Sequence, residues 1–529
     1  MRRLIPLLLI AAMSAGARKF YDDDPLEREP KPRRVEQVKS RKLSDYYDLF
    51  SHQFGKVGEK QPKKGPPIRA RAVNTLGEPL QGAWWEKRHY YRTMSNEELI
   101  RGPGDGNAPA DGPWTVISAK TEGITPGFVM RDSRKRLYFV KFDPISNPEI
   151  ATSADAITSR LFYALGYHVP QNYLVYFTED RLVLGENVEV KDSRGRPRKM
   201  TRRDLVEIMI KVPRTADGKY RATASLGLPG RPAGPPRYYG TRADDPNDVV
   251  PHEHRRDQRG LHVFAAWTSH DDSRAINNLD TLVEENGLKY VKHFQLDFGS
   301  TLGSASSKVN SPRSGVYFFS WKESAISLFS LGLHVPYWAH AKYPDYPSVG
   351  RFEWKVFDPE RWVPEYPNPA FLNRLPDDEF WAAKQAMAIS DDNLRALVST
   401  GQLTDKAAEK WLTECLIERR NKIGRAYFRK LLPLDQFAIV NGRLEWVDLS
   451  EKHGFGGAGP VSVEWSAFDN ETEKRTPIEG AASASLPPMN GDGYWVAGLT
   501  STKIPSHKIS VYLRKRGGVP QIVGIDRQW

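Results

Sequence analysis

The feature that most constrains the fold of this chain is a pair of polar segments separated by a predicted β-hairpin. In the first segment, His270, Asp272 and Asn277 follow the spacing H-x-D-x-x-x-x-N. The second is a D-F-G triplet that starts at Asp297, directly after an apolar run typical of a strand. An Asn-Gly pair at positions 286 and 287 predicts the hairpin turn between them. The segments supply carboxylate and amide oxygens, which suit a hard cation such as Mg²⁺ better than a soft one.

Upstream, residues 114–184 alternate between strand and turn patterns and contain one helix. Aromatic and β-branched residues indicate strands at 114–119, 128–131, 136–142, 173–177 and 181–184. Apolar residues at helical spacing indicate a helix over 151–165, which Gly166 ends. Lys141 closes the third strand, on the same face as Leu137 and Phe139. A lysine therefore precedes a helix that carries an acidic residue.

The acidic partner of Lys141 has two candidates. Asp155 lies one position from the apolar stripe of the helix, so it can flank the core face and meet the lysine. Glu149 precedes the helix and could instead stabilise its positive end. We favour Asp155 as the partner.

The spacing of the polar loop does not decide which of two adjacent residues has each role, because the neighbours have the same side chain. Asp271 competes with Asp272 as the residue that orients a reacting group, and Asn278 competes with Asn277 as an oxygen ligand. The alternative interpretation of the whole loop is an ordinary Asx-turn without chemistry.

The turn between the first two strands, Glu122–Gly127, lies where a loop could cover bound phosphates. Gly123 and Gly127 would let backbone N–H groups approach an anion closely. The turn lacks a three-glycine pattern, and an ordinary hairpin turn is the alternative.

The N-terminus predicts export. Arg2 and Arg3 precede an apolar run over residues 4–13, and Ala15-Gly-Ala17 supplies an A-x-A cleavage pattern. We expect a signal peptide over residues 1–17 and a periplasmic or extracellular mature protein. No later apolar run is long enough to span a bilayer. A single cysteine, Cys415, excludes an intrachain disulfide.

The charge balance has two interpretations, an ordinary solvated basic surface, which we favour, and a surface that attracts anionic partners. The 529-residue chain has a net charge of +12, with basic residues spread along its length. Such a surface suits nucleotides, a cell wall or a membrane surface. No zinc-finger or RNA-recognition signature is present, so nucleic acid is not a predicted partner.

Composition divides the chain into five segments. Pro, Lys and Gly enrichment after the leader predicts an extended arm, and alternating apolar residues near the C-terminus predict a small β-sandwich. The predicted segments are the signal peptide 1–17, the arm 18–112, a mixed lobe 113–190, a mainly helical lobe 191–450 and the β-sandwich 456–529.

These residues together resemble the atypical branch of the protein-kinase-like fold, which includes the HipA-like, CotH-like and Fam-type secretory kinases. The resemblance covers about residues 114–300, and more loosely the helices up to 430. It implies an α+β, two-lobed core. Lys141 would bind nucleotide phosphates, Asp155 would pair with it, Asp272 would be catalytic, and Asn277 and Asp297 would bind Mg²⁺. The whole chain also resembles exported bacterial proteins, a likeness that implies no function.

The chain departs from the ordinary protein-kinase pattern in four ways. It lacks the three-glycine loop and the A-P-E segment, and His-Asp-Asp replaces His-Arg-Asp at position 270. The gap from Asn277 to Asp297 is also longer than in ordinary protein kinases. These differences place the chain outside the eukaryotic-type kinases and leave the acceptor open.

The resemblance implies an exported phosphotransferase that uses ATP and Mg²⁺ on an unidentified protein or small-molecule acceptor. Other enzymes with this metal site transfer AMP or ligate amino acids, so those reactions are alternatives. A non-catalytic kinase-like protein of the cell envelope, binding a partner or a glycan, is another. Nucleotide binding without turnover would favour the non-catalytic alternative.

Overall fold

The computed structural model describes residues 18–26, 30–120, 127–191, 196–330 and 333–529. Contacts between Cα atoms divide the chain into two compact units. The larger comprises Pro30–Val73 and Glu78–Lys430. The smaller comprises Asn74–Gly77, Leu431–Trp529 and the described residues before Pro30.

The described part of the chain contains both helices and strands, as the predicted α+β class requires. The helices are α1 (Asp45–Gln53), α2 (Asn96–Arg101), α3 (Ile150–Ala164), α4 (Arg202–Met209), α5 (Arg256–Thr268), α6 (Trp321–Phe329), α7 (Pro369–Leu372), α8 (Pro376–Ala388), α9 (Asp391–Ser399), α10 (Lys406–Phe428) and α11 (Leu449–Lys452). The strands are β1 (Trp114–Lys120), β2 (Gly127–Arg131), β3 (Leu137–Lys141), β4 (Asn172–Phe177), β5 (Leu182–Leu184), β6 (Glu189–Lys191), β7 (Pro197–Lys199), β8 (Tyr220–Leu226), β9 (Arg231–Gly234), β10 (Asn278–Glu285), β11 (Leu288–Gln295), β12 (Leu434–Val440), β13 (Arg443–Asp448), β14 (Val461–Phe468), β15 (Arg475–Pro477), β16 (Gly493–Ser501), β17 (Lys508–Lys515) and β18 (Gln521–Gln528).

A six-stranded sheet with α3 against it forms the first lobe of the larger unit. The strand order is β4-β8-β3-β2-β1-β5, and helix α3 connects β3 to β4. Alternate side chains of the strands point into one apolar core, which includes Trp114, Met130, Tyr138 and Phe142. The predicted succession of three strands, one helix and two strands is confirmed.

Strand β8 lies within residues 191–450, where the sequence predicts a mainly helical lobe. It lies inside the sheet, between β3 and β4, so the first lobe reaches Leu226 rather than ending at residue 190. Its sequence, YRATASL, was not recognised as a strand because it carries a charge and small polar residues. Arg221 is nevertheless buried there, since hydrogen bonds satisfy its guanidinium.

The second lobe is built on helices and one hairpin. Helix α5 is buried along its whole length and ends at Ser269, which adopts a left-handed conformation. Helices α8, α9 and α10 confirm the helical periodicity in residues 380–423. Residues 315–368 differ from the mainly helical expectation: their described part contains only α6 and a short 3₁₀ turn at Tyr337–His340. Several prolines there remove backbone donors that a helix needs.

Most of the predicted arm belongs to the larger unit, where it forms α1 and α2 and is fixed by a buried tryptophan. Trp85 is fully buried, and its indole N–H donates to the Leu165 carbonyl oxygen at 2.8 Å. Gly166 ends α3 at a φ of 102°, and a Cβ there would overlap the Trp85 indole. A glycine is therefore required both by the backbone conformation and by the close approach of the arm.

The smaller unit is a two-layered β structure. Its five-stranded antiparallel sheet has the order β15-β14-β16-β17-β18, and the hairpin β12–β13 shares its hydrophobic core. The alternating apolar residues near the C-terminus form β14, β16, β17 and β18, as the predicted β-sandwich requires. This unit starts at Leu431 and so includes a hairpin that precedes residue 456. Phe20 also belongs to it, with its ring 5.2 Å from that of Tyr512.

Within the described ranges, every helix is too short or too polar to cross a membrane.

Candidate functional site

A cleft of about 990 Å³, counting the space open to solvent, is bounded by the first-lobe sheet, α3 and the segment after β11. One end is apolar and is lined by Val129 and Phe139, which are cross-strand neighbours on β2 and β3. Phe139 is 46% exposed, an unusual state for a phenylalanine in the middle of a strand. The other end is charged and is lined by Lys141, Asp155 and Asp297. The cleft therefore offers an apolar wall and a charged end to one ligand.

Lys141 and Asp297 form an ion pair at the charged end. The Lys141 Nζ lies 2.7 Å from Asp297 Oδ1, and both side chains are partly exposed to the cleft. Burial opposes the lysine charge, but the carboxylates of Asp297 and Asp155 outweigh it and raise the pKa of Lys141. The lysine is therefore a fixed positive charge at ordinary pH.

Asp155 lies beside this pair on α3. It is 2% exposed and accepts a hydrogen bond from Asn172 Nδ2 at 3.2 Å, while its Oδ2 is buried without a hydrogen-bond partner. Burial, reinforced by the charge of Asp297, raises the pKa of Asp155 to about 6 although Lys141 opposes the shift. Asp155 thus influences Lys141 as a neighbouring charge, and the direct ion pair of Lys141 in the described structure is with Asp297.

The hairpin β10–β11 brings Asn277 next to Asp297. Asn278 pairs with Gln295 across the hairpin, and the Leu296 N–H donates to the Asn277 carbonyl oxygen at 2.8 Å. Asn286 and Gly287 form the turn, both with positive φ as this turn requires. Two segments that are twenty positions apart therefore meet at the open end of one hairpin.

Asp297 adopts a left-handed backbone conformation, with φ 58° and ψ 47°. Aspartate tolerates this region better than most residues, but the conformation is uncommon outside glycine and asparagine. It turns the chain sharply after β11 into the 3₁₀ turn Phe298–Ser300.

Asp272 forms an ion pair that the sequence did not indicate. Its carboxylate contacts the Arg274 guanidinium, which also contacts Glu365 and lies 2.8 Å from Asp45 Oδ2. Burial raises the pKa of Asp272 to about 7, against the attraction of Arg274. Asn277 Nδ2 donates to the Asp272 carbonyl oxygen at 2.7 Å, which joins the loop to the hairpin. Arg274 was missed although it lies only two residues from Asp272.

The competitors of Asp272 and Asn277 serve structural contacts. Asp271 is buried and accepts hydrogen bonds from Asn310 Nδ2 at 2.8 Å and from the Gly315 N–H at 3.1 Å. Asn278 Nδ2 donates to the Arg274 carbonyl oxygen at 2.8 Å and is buried. Both side chains therefore hold the loop in place.

His270 does not line the cleft but packs against aromatic side chains next to it. Its ring lies 6.1 Å from the ring of Phe298 and 6.4 Å from that of Phe162 on α3, measured between centroids. Burial lowers the pKa of His270 to about 4, so the imidazole is neutral at ordinary pH. It supports the turn that follows Asp297.

The start of α3 is held by a residue that sequence reasoning did not consider. Asp143 Oδ1 accepts from the Ala151 and Thr152 N–H groups at 2.8 and 2.9 Å. Glu149, proposed as an alternative cap, makes no side-chain cap and instead accepts a hydrogen bond from the Thr404 N–H at 2.9 Å.

Of the two glycines predicted to approach phosphates, the structure describes Gly127 but not Gly123. Gly123 lies in residues 121–126, outside the described residues. Gly127 lines the cleft opposite Lys141, and a Cβ there would lie 2.8 Å from the Val140 carbonyl oxygen. Gly127 therefore permits close packing of β2 on β3.

The oxygen atoms of the site suit a divalent cation that is held mainly by the phosphates of a bound ligand and only partly by the protein. The described residues contain no group of three or more His, Cys, Asp or Glu side chains arranged around a metal position. Mg²⁺ characteristically takes one or two protein oxygens and completes its shell with phosphates and water. Asp297 provides one such carboxylate at the cleft, and the amide oxygen of Asn277, whose backbone is bonded to Leu296, is the second candidate.

Comparisons with known proteins find only remote structural likenesses. No protein-family model matches it, and no curated protein matches it. A Helicobacter pylori proinflammatory kinase, CtkA, is 12% identical, with a TM-score of 0.29, 62% of this chain covered and 94% of that chain. A Golgi casein kinase with Mn and ADP bound is 11% identical, with a TM-score of 0.30, 64% of this chain covered and 81% of that chain. A second structure of the Golgi casein kinase is 11% identical, with a TM-score of 0.30 and coverages of 76% and 96%. At these scores the likenesses carry no argument, and the two-lobed, α+β description of the larger unit rests on its own helices and strands.

Proposed function

We propose that this chain is an exported phosphotransferase that uses ATP and a divalent cation such as Mg²⁺. The observation that carries the proposal is the meeting of Lys141, Asp155 and Asp297 at the charged end of a cleft with an apolar wall, while the backbone of Asn277 is bonded to that of Leu296, next to Asp297. The export part of the proposal is supported by the leader pattern alone, which lies outside the described residues.

The cleft suits a nucleotide in one orientation. The apolar wall of Val129 and Phe139 would contact the base, and the charged end would contact the phosphates. Lys141 would exchange its bond to Asp297 for phosphate oxygens, and the orphan Oδ2 of Asp155 would then hold the ammonium. Asn277 and Asp297 would hold the cation, which neutralises phosphate charge when bound.

Asp272 is the proposed base. In the transfer, the acceptor hydroxyl oxygen forms a bond to the γ-phosphorus while the bond from that phosphorus to the β,γ-bridging oxygen breaks. The hydroxyl proton passes to the Asp272 carboxylate, and the nucleoside diphosphate leaves with the bridging oxygen. Arg274 holds the carboxylate in place through its ion pair. The acceptor is a protein or small-molecule hydroxyl whose identity the site does not specify.

A thermal shift assay on the purified chain tests the nucleotide site. ATP with Mg²⁺ should stabilise the protein, and at 100 times the Kd the gain should be about 2.7 kcal/mol. Either component alone should give a much smaller shift, because the proposed protein ligands to the cation are too few to bind it tightly.

The matched variants are Asp297→Asn, which should lose the joint shift, and Asp217→Asn, an exposed turn residue, which should keep it. Retention of the full joint shift in Asp297→Asn would refute the metal assignment. A joint shift without any hydrolysis or transfer would favour the non-catalytic alternative.

A further inference from the structure

Helix α1 has an inverted distribution of polar and apolar residues. A helix on a protein surface normally buries its apolar side chains and exposes its polar ones. In α1, Asp48 and His52 are buried, whereas Tyr46, Tyr47 and Phe50 are 77%, 78% and 58% exposed. Asp48 and His52 pair with each other at 3.3 Å, and Asp45 reaches Arg274. The polar side of the helix therefore faces the protein, and its aromatic side faces outward.

The aromatic side continues onto a neighbouring segment. The Phe54 ring, 54% exposed, lies 5.8 Å from that of Phe50 and 6.1 Å from that of Phe319. Phe319 in turn lies 4.8 Å from Trp321, which is 74% exposed at the start of α6. We call Tyr46, Tyr47, Phe50, Phe54 and Trp321 the aromatic surface. An exposed apolar patch of this extent marks an interaction site or a membrane contact rather than a random feature.

Exposed lysines precede and follow α1 in the sequence. Two lysines, Lys39 and Lys42, precede the helix. Four more follow it: Lys56, Lys60, Lys63 and Lys64. All six are exposed. None of the four that follow forms an ion pair within the described residues. The intervening acid, Glu59, is engaged by His254 at 2.6 Å. Among the residues that the structure describes, no ion pair therefore neutralises the four lysines that follow α1.

We propose that the aromatic surface and its flanking lysines dock on an anionic phospholipid membrane surface. Tyr, Phe and Trp side chains are favoured at the boundary between headgroups and acyl chains, and adjacent lysines are attracted to anionic headgroups. A protein partner with an apolar groove would also need a dense rim of acidic residues to match these lysines, whereas an anionic membrane surface supplies that charge everywhere. Asp45, on the opposite side of α1 from the aromatic surface, contacts Arg274, so α1 lies next to the Arg274–Asp272 ion pair.

Co-sedimentation of the full chain with vesicles tests the proposal. Vesicles of phosphatidylcholine and phosphatidylglycerol in equal parts should pellet the protein at low salt, and vesicles of phosphatidylcholine alone should pellet much less. The variant Tyr47→Ser/Phe50→Ser/Phe54→Ser should bind at least about tenfold more weakly, since it loses three apolar contacts. The variant Lys56→Gln/Lys60→Gln/Lys63→Gln/Lys64→Gln should lose about a hundredfold or more.

Two control variants make the same kinds of substitution, at fewer positions, in the smaller unit. Val519→Ser removes an exposed apolar residue, and Lys452→Gln/Lys474→Gln removes exposed positive charge. Both should bind anionic vesicles as the unchanged protein does. All variants alter exposed side chains and should keep the unchanged melting temperature. In hydrogen exchange, amides of residues 45–54 should gain protection when anionic vesicles are added.

Three results would overturn the proposal. The first is no binding to anionic vesicles at low salt. The second is binding that the lysine variant loses and the serine variant keeps, because that would be general attraction of a chain with net charge +12. The third is concentration-dependent dimerisation that the serine variant abolishes, without lipid binding, because the occupant would then be a second copy of the chain. These outcomes are independent of the nucleotide experiment.

Discussion

At the residue scale, two adjacent aspartates in one loop have different surroundings and should behave differently when changed. Asp272 faces Arg274 near the cleft, so Asp272→Asn should keep the joint shift with ATP and Mg²⁺ but lower the rate of nucleoside diphosphate release about 10²–10⁴-fold. Water can serve as the acceptor in this assay, so the natural acceptor is not needed.

Asp271→Asn is the comparison for that prediction. Its carboxylate accepts hydrogen bonds inside the loop, so the variant should melt at a lower temperature because buried donors lose their partner. If a folded Asp271→Asn protein loses turnover while Asp272→Asn keeps it, the two roles are reversed.

At the element scale, the position of α3 depends on Arg221 of β8. The buried guanidinium donates to Thr152 Oγ1 and Ser153 Oγ, both at 2.8 Å, and to the Gly401 carbonyl oxygen at 2.5 Å. It therefore joins the sheet, the start of α3 and the connection between α9 and α10. Arg221→Gln should destabilise the protein by about 3 kcal/mol or more, since several charge-assisted hydrogen bonds disappear together. It should also weaken nucleotide binding, because α3 carries Asp155.

Arg214→Gln is the matched control, since Arg214 is exposed and contacts the Tyr220 hydroxyl on the same strand. It should change the melting temperature little. Denaturation curves and hydrogen exchange of α3 distinguish the two variants, and equal effects would show that Arg221 does not fix the helix.

The turn between β2 and β3 should make stability depend on pH. The Asp132 carboxylate is buried and accepts hydrogen bonds from the Ala110, Arg134 and Arg136 N–H groups at 2.9–3.0 Å, and from the Arg136 side chain. Burial opposes ionisation, but these donors outweigh it and lower the pKa of Asp132. The resulting stability is present above the unfolded-state pKa of about 3.9 and is lost as pH falls through the folded-state value.

Asp132→Asn should therefore cost about 2 kcal/mol at pH 7, and this difference should shrink below about pH 4. Chemical denaturation of both proteins at several pH values measures it. A difference that stays constant down to about pH 3 would mean that the charge of Asp132 contributes nothing.

The elements that the sequence predicts are those whose side chains follow one pattern throughout. β1 to β5 and α3 present apolar residues on a single face, so their pattern is visible locally. β8 was not predicted, because its stability depends on Arg221 finding partners in α3 and at residues 401–402, far along the chain. In the same way, Lys141 and Asp297 can be recognised as candidates from their positions in the sequence. The contacts of Arg274 cannot, because its partners Asp45 and Glu365 lie 229 and 91 positions away from it. No local pattern contains such contacts.

At the scale of the whole molecule, two compact units with separate hydrophobic cores should unfold in separate steps. The first-lobe core of the larger unit includes Trp114 and Tyr138, and the core of the smaller unit includes Trp465 and Trp495. Units with independent cores need not unfold together, so a single transition is not expected. The two steps should be resolvable by calorimetry.

ATP with Mg²⁺ should then move only one of the two calorimetric transitions. A ligand stabilises the unit that binds it by mass action, and the proposed nucleotide site lies wholly in the larger unit. The transition of the larger unit should therefore rise with ligand concentration, while that of the smaller unit stays fixed. Trp465→Phe identifies the second transition, because a changed core residue should lower the midpoint of its own unit only. A ligand-induced rise of both midpoints would show that the units unfold as one cooperative body, and a rise of the Trp465-sensitive midpoint alone would place the nucleotide site outside the cleft.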